Sequence, residues 1–140
     1  MSSEISKFDL TDGDNIIRIA AGLFMFPHVA GKFIDHAAVL GFFTKAGFPA
    51  PEAFLYLAAA TEALSGLCLV FGLWVRFAAP AAAGALFVAA AALFEVGGFK
   101  WVWNKGGFEY PVFWGLVCLA IALKAWMPWL RGRFGLRATA

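Results

Sequence analysis

The sequence predicts an all-α integral membrane protein: a four-helix bundle with a short inner hairpin and longer outer loops. Three observations predict it. Hydrophobic residues make up 62% of the 140-residue chain and charged residues 14%, against roughly 45–50% and 25% in soluble domains. Mean hydropathy is +0.78. The charges fall between long apolar runs: residues 19–31, 77–94 and 110–123 carry no Asp, Glu, Lys or Arg, and residues 53–75 carry Glu62 alone. This balance excludes a disordered chain and argues against an ordinary soluble enzyme. The net charge of +2 is too weak for a nucleic-acid partner, so membrane lipid is the partner the composition implies. Two cysteines cannot form a disulfide scaffold. The length suits a single membrane domain over residues 1–140.

A helix needs roughly 20 mostly apolar residues to cross the hydrocarbon core. Lipid offers no partner for free backbone groups, so each span must be helical. The first span covers about residues 16–36. Its leader carries Asp9, Asp12 and Asp14 and lacks the basic start of a signal peptide. Pro27 lies well inside it, where the ring should kink the helix and free the carbonyl of Leu23. An outer connection follows over about residues 37–52.

The second span covers about 53–75 and the third about 77–97, leaving a tight hairpin between them. Pro51 sits at a helix beginning, where a missing N–H costs nothing. Small residues crowd both spans, as in Ala58-Ala59-Ala60, Ser65-Gly66 and Ala81-Ala82-Ala83-Gly84; they permit close helix approach. The second outer connection, about 98–108, is bounded by Gly97-Gly98 and Gly106-Gly107. The fourth span covers about 109–128, with Pro111 near its start.

Four spans put both termini on one side of the membrane. That side holds Lys7, Arg18, Arg76, Lys124, Arg131, Arg133 and Arg137; the other holds Lys32, Lys45, Lys100 and Lys105. The excess of basic residues on the first side predicts cytoplasmic termini. Trp74, Trp126 and Trp129 then fall at the inner interface and Trp101 and Trp103 at the outer one, depths that indoles favour.

An ionisable group inside a span is costly and marks a candidate site. Glu62 lies roughly 14 Å below the outer end of its helix and His28 roughly 12 Å below the outer end of the first span, at 1.5 Å per residue. Lys32 stands one turn above His28 on the same face. Glu95 and Glu109 sit near the outer ends of the third and fourth spans. If these groups converge, they form a polar pocket open to the outer side. Glu62 and His28 are the candidate proton-handling residues, and Lys32, Glu95 and Glu109 the candidate ligand-binding ones. Each also has a structural reading. Glu109 suits a first helical turn, Lys32 can snorkel, Glu95 can sit at the interface, His28 can bond a carbonyl loosened by Pro27, and Glu62 can serve as a buried pair.

No metal or haem is expected. A bis-histidine haem needs two histidines at one depth on facing helices, and His28 and His36 share one span. Paired Glu-x-x-His motifs for a di-iron site do not occur. Cys68 and Cys118 lie at different depths, so neither a disulfide nor a CxxC redox pair is indicated.

Several stretches resemble the DoxX-like family of small four-helix membrane proteins: Arg18-Ile-Ala-Ala-Gly-Leu-Phe-Met-Phe, His28-Val-Ala-Gly-Lys32, Gly47-Phe-Pro-Ala-Pro51, Glu62-Ala-Leu-Ser-Gly66, Gly72-Leu-Trp-Val-Arg76 and Gly106-Gly-Phe-Glu109-Tyr-Pro111. The resemblance spans about residues 16–128. Val29 stands where the family usually has Gly, and Glu95 near where it often has His. The resemblance implies a bacterial inner-membrane protein, multi-pass, acting as a subunit of a quinone-linked redox system. A quinone is the cofactor so implied, and a larger redox complex or a homo-oligomer the partner. The alternative is an accessory or structural membrane subunit without its own catalysis.

Overall fold

The computed structural model describes residues 6–135; Arg137, counted above among the inner basic residues, lies outside them. Helix α1 covers Gly13–Leu23 and α2 covers Met25–Ile34. Asp12 starts α1, its carboxylate accepting the Asp14 N–H at 3.0 Å, which satisfies one of the orphan amides of a helix start. The two helices run on as one apolar span, Gly13–Ile34. The interruption at Phe24 has a direct cause. Pro27 has no N–H to give the carbonyl of Leu23, so the helix breaks one turn before the proline.

The first outer connection contains a helix of its own, α3, over His36–Lys45. A span-length criterion misses it, because ten residues are far too few to cross a bilayer. The turn after it is closed by rings: Phe48 stands 4.9 Å from Phe43 and 5.2 Å from Phe54 between centroids.

Helix α4 covers Pro51–Phe71 and α5 covers Val75–Gly97. Helix α4 stops short of residue 75 because Gly72 takes a left-handed conformation, φ 64°. The Leu73 N–H then donates to the Cys68 carbonyl at 2.8 Å and the Gly72 N–H to the Leu69 carbonyl at 3.3 Å, the Schellman arrangement that closes a helix end. Trp74 is also left-handed, φ 43°. Helix α6 covers Glu109–Phe134, past the expected end at 128.

Among the described residues, four helical stretches are long and apolar enough to cross a membrane: Gly13–Ile34, Pro51–Phe71, Val75–Gly97 and Glu109–Phe134. The chain is an all-α, multi-pass membrane protein. Helix α5 packs most extensively on α6, α4 packs on α1, α2 and α5, and α1 touches α6 to close the ring. The interior is built from small side chains. Ala78, Ala79, Ala82, Ala83, Leu86 and Ala90 of α5 are buried, one turn after another on a single face. Leu57, Leu64, Phe87, Val88 and Leu116 are exposed. Large apolar groups outside and small ones inside is the pattern expected where lipid is the solvent.

At the hairpin end, Lys124 of α6 pairs with Asp14 of α1. Trp126 Nε1 donates to the Arg76 carbonyl at 2.6 Å, and Arg18 donates to the Leu69 carbonyl. The start of α1, the α4–α5 turn and the end of α6 therefore share one end of the bundle. Helix α3 and loop 98–108 occupy the other.

Candidate functional site

The site begins with a backbone approach. Gly22 of α1 and Gly66 of α4 pack so closely that a Cβ on Gly22 would lie 2.7 Å from the Gly66 carbonyl oxygen. Only glycine permits this contact, which holds the first span against α4.

Further along the span, Lys32 of α2 reaches Glu62 of α4. Lys32 Nζ stands 2.8 Å from Glu62 Oε1 and 2.6 Å from Oε2. Helical side chains tilt toward their own N-terminus, so the lysine lies back over the preceding turn, and Nζ also donates to the His28 carbonyl at 3.3 Å. These three acceptors match the three hydrogens of an ammonium. The side chains are 11% and 13% exposed. Neither charge would be tolerable alone at this depth; together they form a neutral unit.

His28 turns its ring the other way. Its side chain is exposed and its centroid stands 5.9 Å from that of Tyr110, in the first turn of α6. One layer deeper, Phe24 and Trp114 meet edge to face at 4.9 Å. These rings form an aromatic seam between the first span and α6.

Glu109 and Glu95 do not join this cluster. Glu109 Oε2 accepts the Trp103 N–H at 3.4 Å, while the Glu109 N–H donates to the Trp101 carbonyl at 3.0 Å and the Phe108 N–H to the Lys100 carbonyl at 3.0 Å. A Cβ on Gly107 would lie 2.4 Å from the Trp101 oxygen, so this clasp requires glycine. Glu95 is exposed near the end of α5. The expected convergence of five groups is thus reduced to Lys32, Glu62 and the flanking His28. His28 and Glu62 lie inside their spans and Lys32, in the last turn of α2, reaches back to Glu62, whereas Glu109 and Glu95 sit at helix ends, where loop backbone and solvent satisfy them.

A niche of about 290 Å³ opens on the outer end of α6. It is lined by Trp101, Trp103, Glu109, Tyr110, Val112, Phe113 and Leu116.

One polar cluster went unread in the sequence. Arg18, 7% exposed, donates to the carbonyls of Leu69, Val70 and Lys7 and to Asn15 Oδ1. Asn15 Nδ2 in turn donates to the Ser6 carbonyl at 2.7 Å and the Asp9 carbonyl at 3.0 Å. The pair caps the end of α4 and ties the N-terminal segment across it. Its signal was present, since Asn15 and Arg18 stand three apart on one face of an apolar helix. By sequence Arg18 counts only among the basic residues of the inner side.

A family model for DoxX matches residues 13–96, more than half of the chain, from the start of α1 to the end of α5. The Gly106–Pro111 stretch lies beyond that match. No curated protein and no solved structure matches the chain.

Proposed function

The chain belongs to the DoxX family, and on that premise we propose that it is a subunit of a quinone-linked redox system in a bacterial inner membrane, with both termini cytoplasmic. One observation carries the reading. The buried Lys32–Glu62 pair lies directly behind His28, whose ring faces an aromatic seam. The seam is the face we assign to the quinone ring. It is lined by Tyr110, Trp114 and Phe24, and the exposed His28 leaves it accessible from lipid. A bound quinone supplies two-electron, two-proton carrier chemistry. The chain's own residues do the rest. His28 presents a titratable imidazole at the seam. Glu62, bonded through both carboxylate oxygens to Lys32, is the proton-handling group behind the histidine. Tyr110 and Trp114 provide apolar walls that exclude water. Electrons come from a partner chain or from substrate. The orientation is supported by the basic side chains of Arg18, Arg76, Lys124, Arg131 and Arg133 at the hairpin end.

The test is quinone-dependent turnover in membranes carrying Glu62→Gln. The amide keeps the shape of the carboxylate but accepts no proton. The amide still accepts from Lys32 but leaves its charge uncompensated, so turnover is normalised to folded protein; it should fall by roughly 10²–10⁴-fold, the range for a lost acid–base group. Full turnover in a well-folded variant, or no quinone extractable from purified wild type, overturns the proposal.

One feature favours a second reading, an accessory subunit without catalysis. All three ammonium hydrogens of Lys32 have acceptors inside the chain, as a structural lock requires. Co-purification with a larger complex, or as a homo-oligomer, with no extractable ligand is the result that selects it.

A further inference from the structure

Glu109, Val112, Phe113 and Leu116 follow one another along a single face of α6 at the spacing of neighbouring turns, and all four line the niche. The surface changes character down this face. A half-buried carboxylate stands at the top beside two indoles. Phe113 and Leu116, 57% and 55% exposed, continue it downward. The membrane-length helix begins at Glu109, so the niche straddles the boundary between headgroups and hydrocarbon. Trp101 and Trp103 come from the loop above, at the depth where indoles settle. The Trp103 N–H contact to Glu109 Oε2 is long, 3.4 Å, and leaves most of the carboxylate's acceptor capacity open.

We propose that this niche seats one phospholipid with an ammonium headgroup, of the ethanolamine or choline type. The ammonium rests against the Glu109 carboxylate and the indole faces of Trp101 and Trp103. One acyl chain follows Val112, Phe113 and Leu116 into the bilayer. A cation is favoured twice here, by the carboxylate and by the negative faces of the rings. An anionic headgroup meets the same carboxylate as a repulsion. The apolar lining of Val112, Phe113 and Leu116 selects a ligand with a long tail over a free amine. The inference is independent of the quinone reading; Tyr110 borders both the niche and the α2–α6 seam, and the rest of the lining is distinct.

The full chain is purified from detergent supplemented with equal phosphatidylethanolamine and phosphatidylglycerol, and retained lipid is counted by native mass spectrometry. Wild type should keep one phosphatidylethanolamine, in roughly five-fold preference, equivalent to about 1 kcal/mol. Glu109→Gln preserves an acceptor for the Trp103 N–H but should cut the preference to less than about two-fold, the remainder left by the indoles. Trp103→Leu should weaken both the preference and total retention. Equal retention of the two lipids by wild type overturns the proposal, whatever the variants do. Added ubiquinone distinguishes the two sites. If it displaces the phospholipid, the niche is a quinone site and this inference fails while the quinone reading stands. If phosphatidylethanolamine stays and no quinone binds, the reverse holds.

Discussion

Lys32 of α2 and Glu62 of α4 meet inside the bundle with both carboxylate oxygens within 2.8 Å of the ammonium. A buried pair of this kind is costly to break and cheap to replace as a whole. Glu62→Leu strands the lysine and should lower stability by about 3–5 kcal/mol. Combining it with Lys32→Met should recover most of that loss. Thermal unfolding in detergent measures both, and equal destabilisation by the single and double variants would contradict the pairing.

The Gly22–Gly66 crossing predicts a steep size dependence. Gly22→Ala puts a methyl group against the Gly66 carbonyl and the Val70 backbone nitrogen, and should cost about 1–3 kcal/mol, as overpacking does. Gly84 of α5 has nothing within 4 Å of its Cβ position. Gly84→Ala should leave stability unchanged or raise it by about 0.5–1 kcal/mol through the better helix former. A tolerated Gly22→Ala would mean that the helices are not in backbone contact there.

Arg18 predicts a local rather than global effect. Arg18→Met removes a charged donor from the Leu69, Val70 and Lys7 carbonyls, each contact of this type contributing about 1.5–3 kcal/mol. Hydrogen exchange should speed up at the Gly72 and Leu73 amides and in residues 6–12, while the centre of α5 stays protected. Uniform acceleration across all helices would argue for a general packing role instead.

The N-terminal turn carries a small pH dependence. Asp9 accepts the Thr11 hydroxyl at 2.7 Å and the Thr11 N–H at 2.9 Å. These bonds hold its carboxyl below the usual 3.8, the side-chain bond contributing most. A depressed carboxyl pKa stabilises the fold above the unfolded value and loses that stabilisation as pH falls through the folded value. The turn should therefore loosen only in acid below about pH 4. Thr11→Val removes the side-chain bond and should move the Asp9 titration upward, read by NMR of labelled aspartate. An unchanged titration would show that the hydroxyl does not contribute.

The sequence by itself determined the membrane class, the four spans and the depth of each polar group. Long apolar runs can be satisfied only as helices in lipid, and residue count along a helix is distance along its axis. That sufficed to set His28 and Glu62 at one level with Lys32 a turn above. Only the tertiary structure decided which groups meet. Depth says nothing of which helices become neighbours or which way their faces turn, and these depend on the fit of small residues such as Gly22 and Gly66. The lysine's backward lean closes the gap to Glu62. Glu109, at the very start of its helix, bonds instead a backbone amide of its own loop. Helix α3 and the Arg18 cap belong to the same category. One is too short to register as a span, and the other bonds to carbonyls more than fifty residues away, a contact that exists only once α1 lies against the end of α4.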